Sequence, residues 1–246
     1  MSDPLRFSRL RLMGQSPAHF INADRIETSA MQTGTAADAL IFGTAPVLVY
    51  PGAVRRGKEW ESWRDGQDPG AHIVTKSEYE SAAGIALAVR GHREAMEYLD
   101  GERQQTMFWT FDGVPCRGTP DVRGESKGRR RLVELKTGET SDPRRFHHKA
   151  RRFAYHAALA WSEAGHALAG RGTIHDSYIV AVEQAAPYVV TIFHVTPETI
   201  ELGARIWRTW FEQLKNCEAS GVWPGYSDSV VELEMVDDDI EIGDAE

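Results

Sequence analysis

The sequence predicts an α/β protein with a mixed β-sheet flanked by helices, folded as one domain. The first observation is the order of the predicted elements, which runs helices, strands, helix, strands, helix and is typical of this class. The second is composition, because 41% hydrophobic and 26% charged residues are close to the averages of globular proteins. The third is length: a chain of 246 residues can bury about three quarters of its unfolded surface and needs no disulfide to hold a core.

The first hundred residues are predicted to be mainly helical. Hydrophobic spacing and turn residues predict a short helix over Phe7–Ala23 broken at Ser16-Pro17, a helix over Met31–Phe42, a strand over Val47–Tyr50, a polar loop over 53–71, and a long helix from Thr75 to about Leu99. Thr75 followed by Glu78 is the pattern of a capping box, which marks the start of that long helix.

The remainder is predicted to be rich in strands and to end on a helix. The expected elements are a hairpin of Thr106–Phe111 and Val114–Arg117, a strand over Arg131–Lys136, a helix from Pro143 to about Ala164, strands over Ser177–Glu183 and Tyr188–Val195, and a last helix beginning at Thr196-Pro197-Glu198. Pro143 follows Asp142 and suits the first position of its helix.

Charge is distributed unevenly along the chain. The formal net charge is −8, yet residues 227–246 carry nine acidic residues and no Lys or Arg, so the remainder has a charge of +1. We therefore expect one domain over residues 1–226 and an acidic, flexible tail over residues 227–246. Arg117–Arg152 holds twelve Lys and Arg against five Asp and Glu. This pattern indicates a phosphate-binding surface or, alternatively, a solvated face without a partner.

Several classes of protein are excluded by what the sequence lacks. Cys116 and Cys217 are the only cysteines, which excludes a disulfide-rich fold and a four-cysteine metal site. The most apolar stretch, Ala36–Val54, contains an Asp and two prolines, so it is not expected to span a membrane. The first residues lack the pattern of a signal peptide, and no Walker A motif is present. We expect a soluble cytoplasmic protein without a membrane partner.

The pattern that carries chemistry is Pro120-Asp121, twelve residues, and then Glu134-Leu135-Lys136. Alternation along a strand places Glu134 and Lys136 on one face, about 6.5 Å apart, and Asp121 on a neighbouring antiparallel strand would bring its carboxylate to Glu134. Two carboxylates and the Leu135 carbonyl are hard oxygen ligands that suit Mg²⁺. A water on that ion can attack a phosphodiester, with Lys136 orienting the water. The plainer alternative is an exposed ion pair between strands, which contributes little.

The surroundings of this motif resemble the PD-(D/E)xK nuclease superfamily. The Pro-Asp lies in a Gly-Thr-Pro-Asp turn, the Glu-x-Lys ends an apolar strand, and a basic helix follows. The pattern is most similar to the RecE/RecB-like branch and its phage-type nuclease domain, the one found in exodeoxyribonuclease VIII. Blocks that look like that domain occur in order, namely Ser16–Phe20, Met31–Gly43, Val49–Gly52 with Arg55–Lys58, Thr75–Tyr79, Phe108–Asp121 and Val133–Gly138.

This resemblance implies a restriction-endonuclease-like core and an exonuclease that depends on Mg²⁺ or Mn²⁺ and resects the ends of double-stranded DNA. It also implies a role in phage-type recombination or repair, action beside a single-strand annealing protein, and a homo-oligomeric assembly. The catalytic residues are then Asp121, Glu134 and Lys136, and the metal ligands include Asp121, Glu134 and the Leu135 carbonyl.

Three positions depart from the family pattern. Asp38 stands where the family usually has a metal-binding His, and we include it as a candidate ligand because Asp binds Mg²⁺ well. Gln104-Gln105 stand where an acidic residue often precedes the hairpin, with Glu102 nearby. Ala158 and Ser162 stand where the family has Gln and Tyr one turn apart. These departures leave open an inactive protein that binds DNA ends, or a structural phage protein that uses the fold for assembly.

The helix predicted after Pro143 carries the candidate DNA-binding residues. They recur at helical spacing as two neighbouring stripes, and they are Arg144, Arg145, Lys149, Arg151, Arg152 and Tyr155. Such a face suits a phosphate backbone and reads no base sequence. The alternative is an exposed helix whose cations only aid solubility.

The tryptophans have two predicted roles. Trp60 and Trp63, in the predicted polar loop, either stack on a DNA base or cover the core. Trp207 and Trp210 lie at helical spacing in the last helix and are predicted to be core residues.

Overall fold

The computed structural model describes residues 3–23, 28–52 and 54–233, and it confirms the predicted α/β class with a mixed sheet flanked by helices. The strands are β1 Leu5–Arg6, β2 Val47–Val49, β3 His72–Val74, β4 Glu102–Arg103, β5 Met107–Phe111, β6 Val114–Gly118, β7 Val122–Ser126, β8 Arg129–Gly138, β9 Asp176–Glu183 and β10 Val190–Val195. The α-helices are α1 Phe7–Leu10, α2 Pro17–Asn22, α3 Ser29–Phe42, α4 Lys58–Asp65, α5 Lys76–Gly91, α6 Arg93–Tyr98, α7 Pro143–Arg152, α8 Tyr155–Leu168 and α9 Pro197–Ser220.

The central sheet has the strand order β10-β9-β8-β7-β4. Strand β8 pairs in parallel with β9 and antiparallel with β7, where Val122 lies opposite Val133. Because side chains alternate along β8, Val133 and Leu135 face one side and pack against α3 and α5. Leu132 faces the other side and packs with residues of α7 and α8. The sheet is therefore covered by helices on both faces.

A second core joins the β5–β6 hairpin to α8 and α9. Trp161 of α8 lies with its ring centroid 5.1 Å from that of Trp109 and 5.3 Å from that of Trp207. Trp207 is fully buried, as predicted, whereas Trp210 is only partly buried at the edge of the same cluster. This core fixes α8 relative to the end of the hairpin.

Two predicted long helices are each divided in two. The helix predicted after Pro143 ends at Arg152, and Ala154 adopts a left-handed backbone (φ 53°) before α8 begins at Tyr155. Tyr155 therefore does not continue the stripe of α7 cations, and that part of the prediction is wrong. The helix predicted to reach Leu99 stops at Gly91, because the His92 ring accepts a hydrogen bond from the Ala95 N–H and caps a new helix.

The predicted polar loop over residues 53–71 contains helix α4, so that prediction is also wrong. The helix packs on Tyr50, the residue that follows β2: the ring centroids of Trp60 and Trp63 lie 5.0 and 5.1 Å from that of Tyr50. Both tryptophans are half-buried there. Both tryptophans thus pack on Tyr50, and stacking on a DNA base stays a prediction.

The capping box at the start of α5 extends into a buried ion pair. The Glu78 carboxylate accepts hydrogen bonds from the Thr75 N–H (2.8 Å), the Ser29 hydroxyl (2.7 Å) and the Arg55 guanidinium (2.9 Å). Burial alone raises the pKa of Glu78, but the hydrogen bonds from Thr75 and Ser29 and the charge of Arg55 lower the pKa by more. Glu78 therefore ties α3, α5 and the segment before α4 together as a carboxylate.

Replacing Glu78 with Gln is expected to destabilise the fold by about 3 kcal/mol at pH 7, because Arg55 loses a buried partner. The folded-state pKa of Glu78 lies below the ordinary value of 4.5, so this stabilisation is present above pH 4.5 and is lost as the pH falls through the folded pKa. Denaturant unfolding of E78Q and wild type at pH 7 and below pH 4 measures both effects. The exposed Glu80 provides the control E80Q, and an E78Q cost that stays constant to low pH would contradict the prediction.

The C-terminal segment after α9 forms no helix or strand over residues 221–233. Trp223 stacks on Phe20 with 5.7 Å between the ring centroids, and most of the other residues in this range are exposed. The rest of the predicted acidic tail, residues 234–246, lies outside the described residues, so its flexibility and the domain boundary stay predictions. No helix within the described part of the chain has the length and apolarity needed to cross a membrane.

Candidate functional site

The pairing of β7 with β8 brings the motif residues together. Asp121 directly precedes β7, and its Oδ2 accepts a hydrogen bond of 2.8 Å from the Leu135 N–H of β8. This bond fixes the Asp121 carboxylate beside β8, on the same side as Glu134 and Lys136. The predicted antiparallel approach of Asp121 to Glu134 is therefore present in the fold.

Lys136 lies between the two carboxylates. Its Nζ is 2.6 Å from Glu134 Oε2 and 3.8 Å from Asp121 Oδ2, and it donates to the Leu135 carbonyl at 3.3 Å. The side chains of all three residues are less than one quarter exposed. This arrangement differs from an exposed surface ion pair, because the charges are withdrawn from most of the solvent.

Asp38 of α3 faces the same group of charges. Burial raises the pKa of Asp38 to about 7, with Lys136 opposing the rise and Glu134 adding to it. Burial and the neighbouring Glu134 also raise the pKa of Asp121 well above its ordinary value, against the effect of Lys136. Three carboxyl groups therefore share one ammonium group, and the site is short of positive charge.

This shortage of positive charge is an observation that fits a divalent cation. Asp38, Asp121, Glu134 and the Leu135 carbonyl supply hard oxygen atoms of the kind that Mg²⁺ and Mn²⁺ bind, and an ion would stabilise the ionised carboxylates. Among the described residues, no three His, Cys, Asp or Glu side chains are placed so as to hold an ion by themselves. A bound ion would therefore need the carbonyl and water molecules as further ligands, as is usual for Mg²⁺.

The protonation state of Lys136 limits what it can do. Burial lowers the pKa of Lys136, but Glu134 and Asp121 raise the pKa by more, so the group stays an ammonium ion. An ammonium group can orient a water molecule or stabilise charge on a phosphate oxygen, but it cannot accept a proton.

Tyr155 and Lys149 lie closer to this site than the sequence indicates. The Lys136 ammonium is 5.7 Å from the centre of the Tyr155 ring, a cation–π contact. Lys149 of α7 donates a hydrogen bond of 3.2 Å to the carbonyl of Thr137, the residue that follows Lys136. Spacing along one helix could not reveal the Tyr155 contact, because it depends on the helix break at Ala154.

The other predicted DNA-binding residues form an exposed basic face on α7. The exposed residues are Arg144, Arg145, Arg151 and Arg152, and the Arg145 guanidinium lies 3.5 Å from Glu139. The Asp142 carboxylate caps this helix by accepting hydrogen bonds from the backbone N–H groups of Arg144 and Arg145. The first residue of this face, Arg144, follows the last residue of β8 by six positions, so the face lies close in sequence to the carboxylates.

The departures from the family pattern have different surroundings. The Gln104 N–H donates to the Asp121 carbonyl at 2.9 Å, so this position does lie beside the site. Glu102 instead pairs with Arg123 at 2.7 Å. Ser162 is buried, and Ala158 is half-buried, one turn after Tyr155. Within the described residues, Glu102 thus contacts Arg123 rather than replacing the acidic side chain expected at Gln104.

Comparison with known families matches residues 7–234 to a family described as a PDDEXK-like domain of unknown function (DUF3799). This match covers more than nine tenths of the chain. Comparison with curated proteins finds no match. The matched range includes Asp38, Asp121, Glu134 and Lys136.

Comparison with solved structures finds matches to this chain. A crystal structure from Eubacterium rectale, described as a "Putative exonuclease", aligns with a TM-score of 0.66 at 13% identity, covering 98% of this chain and 93% of that chain. At such identity the likeness shows a shared fold over almost the whole length, and nothing more. A crystal structure of SSO0001 aligns at 10% identity over 84% of this chain and 85% of that chain, but its TM-score of 0.33 supports no argument.

Proposed function

Because the chain belongs to the PDDEXK-like family, we propose that it is a divalent-metal-dependent exonuclease that resects the ends of double-stranded DNA. Membership confirms the predicted likeness to the PD-(D/E)xK superfamily and its fold. The observation that carries the proposed activity is the convergence of Asp121, Glu134 and Lys136 across two adjoining strands. The likeness to the RecE/RecB-like branch and the exonuclease mode are part of this proposal.

The cation would be held by Asp121, Glu134, the Leu135 carbonyl and Asp38, and Mg²⁺ or Mn²⁺ is the class of ion that these oxygens fit. When bound, the ion supplies an activated water and neutralises charge on the phosphate that is attacked. The Leu135 N–H holds Asp121 in position by the hydrogen bond to Oδ2. Lys136 donates hydrogen bonds to the attacking water or to a phosphate oxygen, and the Tyr155 ring limits its range of positions.

The exposed cations of α7 would contact the DNA backbone beside this site. Arg144, Arg145, Arg151 and Arg152 offer guanidinium groups without base-reading geometry, which suits cleavage at ends of any sequence. Lys149 is held at the Thr137 carbonyl and would act near the site rather than on the outer face. Tyr155 would act through Lys136.

The biological setting follows from the same proposal. A phage-type exonuclease of this kind would act in recombination or repair in the cytoplasm of a bacterial host, beside a single-strand annealing protein and as a homo-oligomer. These assignments rest on the resemblance of the sequence to the RecE/RecB-like branch. The competing function is a DNA-end-binding protein without activity, which is favoured by Ala158 and Ser162 at positions where the family has Gln and Tyr.

One experiment separates these functions. The purified protein is incubated with end-labelled linear duplex and with closed circular duplex of the same sequence, in Mg²⁺, Mn²⁺ or EDTA. We expect release of labelled nucleotides from the linear DNA in either metal, with the circle intact. Salt-sensitive DNA binding without nucleotide release would support the inactive end-binding protein, and cutting of the circle would contradict the exonuclease mode. Absence of DNA binding at low salt would contradict both.

A further inference from the structure

A basic cleft lies on the same face of the sheet as Glu134 and Lys136, at the opposite end of β8. It has a volume of about 380 Å³ and opens between β7, β8 and the end of α8. The charged and titratable side chains of its wall are Glu102, Arg123, Glu125, Arg130, Arg131, His166 and Arg171. Leu132, Glu134 and Lys136 occupy every second position of β8 and so share one face. Arg123 lies opposite Leu132 and therefore belongs to the same face of the sheet.

The cleft contains more guanidinium groups than carboxylates. Arg123 is only 7% exposed and pairs with Glu102, yet its Nε has no hydrogen-bond partner in the described part of the chain. Arg130 lies 3.7 Å from Glu125, and Arg171 makes no ion pair with any described residue. Burial and the charge of Arg171 lower the pKa of Arg123, so the arginines repel one another across the cleft. An anion in the cleft would relieve this repulsion and accept hydrogen bonds from the exposed guanidinium groups of Arg130 and Arg171.

The backbone is shaped to admit these side chains. Gly172 has a left-handed backbone (φ 88°), and a Cβ there would lie 2.7 Å from Nη1 of Arg130. Its carbonyl lies 2.8 Å from Nδ1 of His166, which anchors the loop to α8. Any residue other than glycine at position 172 would displace the Arg130 guanidinium from the wall.

The position of the cleft relates it to the carboxylate site. Arg130 precedes Glu134 by four residues on the same face of β8, which corresponds to about 13 Å. His166 follows Tyr155 by eleven residues of α8, about 16 Å along the helix. Because successive phosphates of a duplex strand advance about 3.4 Å along the axis, the separation corresponds to roughly four base-pair steps.

We propose that the cleft formed by Arg123, Arg130 and Arg171 binds a backbone phosphate of the DNA, roughly four nucleotides from the phosphate that lies at Glu134 and Lys136. The inference rests on the proposed nuclease function. Arginine is suited to this role because its planar guanidinium group presents paired donors to phosphate oxygens. The cleft would thus set the minimum length of duplex that is needed for tight binding. It would act in addition to the exposed face of α7.

The test removes two exposed cations of the cleft. In EDTA, the affinity for a short duplex is measured as a function of salt concentration for wild type, R130Q/R171Q and the control R205Q/R208Q, which removes the same charge from α9. We expect the magnitude of the salt slope to fall by about 0.9 in R130Q/R171Q, the value for one phosphate, and to be unchanged in the control. An unchanged slope in R130Q/R171Q, or an equal fall in the control, would overturn the proposal.

Two further measurements identify the source of the phosphate and separate this inference from the proposed function. Bis(p-nitrophenyl) phosphate is too small to reach both sites, so its Mn²⁺-dependent hydrolysis should be equal in wild type and R130Q/R171Q, while duplex cleavage falls in the variant. If wild type hydrolyses neither substrate, the nuclease assignment fails. The salt dependence of DNA binding then still shows whether the cleft binds a DNA phosphate. A contrary result is that inorganic phosphate stabilises wild type but not R130Q/R171Q while the salt slope of DNA binding is the same in both proteins. That result would overturn the assignment of the cleft to DNA.

Discussion

Replacing Lys136 with Ala is expected to lower the rate of metal-dependent DNA cleavage by about 10²–10³-fold, the range lost when one hydrogen-bond donor to developing charge is removed. Lys136 contacts Glu134 and lies near Asp121, and it carries the ammonium group closest to the carboxylates. DNA binding in EDTA should stay close to wild type, because the exposed arginines of α7 are unchanged. The measurement is nucleotide release from end-labelled linear duplex in Mg²⁺, with binding measured in parallel.

The control is Lys76→Ala on α5, which removes an exposed lysine that contributes no atom to the carboxylate site. It should cleave as wild type does. Lys136→Arg keeps the charge but changes its shape, so we expect it to recover only part of the cleavage rate. Full cleavage by Lys136→Ala would exclude a chemical role for this residue, and loss of DNA binding together with cleavage would indicate a structural role instead.

The position of the site could be predicted from the sequence because it depends on local rules. Asp121 directly precedes β7 and Glu134 lies on β8. A short turn at Lys127-Gly128 joins the two strands, so antiparallel pairing follows from spacing, and alternation places Lys136 beside Glu134. The capping box at Thr75 and Glu78 follows from residue types three positions apart. These features need no knowledge of the remaining chain.

The features that the sequence could not reveal depend on contacts between distant segments. Ala154 adopts its left-handed backbone without a Gly or Pro to mark the break, so the change in direction that brings Tyr155 to Lys136 has no local signal. Helix α4 lies in a polar segment and is held by Tyr50, which follows β2 in the chain. Arg123 is buried in β7, a strand that is absent from the predicted elements, and its cleft exists only because Arg171 approaches from the loop after α8.

The second large effect concerns the core that supports the site. Replacing Trp161 with Ala is expected to destabilise the fold by about 3–5 kcal/mol, the usual cost of truncating a buried aromatic residue. Trp161 is 1% exposed, contacts Trp109 and Trp207, and donates from its indole N–H to the Arg117 carbonyl at 3.2 Å. In a chain of this length that loss corresponds to a fall in Tm of roughly 6–20 °C.

The matched control is Trp63→Ala, because Trp63 is half-buried and its aromatic contacts are with Tyr50 and Trp60 at the edge of the fold. Its expected cost is less than half that of Trp161→Ala. Thermal unfolding of the three proteins measures the difference.

Trp161→Ala should also affect cleavage, because Trp161 and Tyr155 share α8. The variant should loosen the contact between Tyr155 and Lys136, so its cleavage rate should fall at temperatures well below its Tm. Equal costs for the two variants would show that the packing between α8 and the hairpin does not hold the site in place.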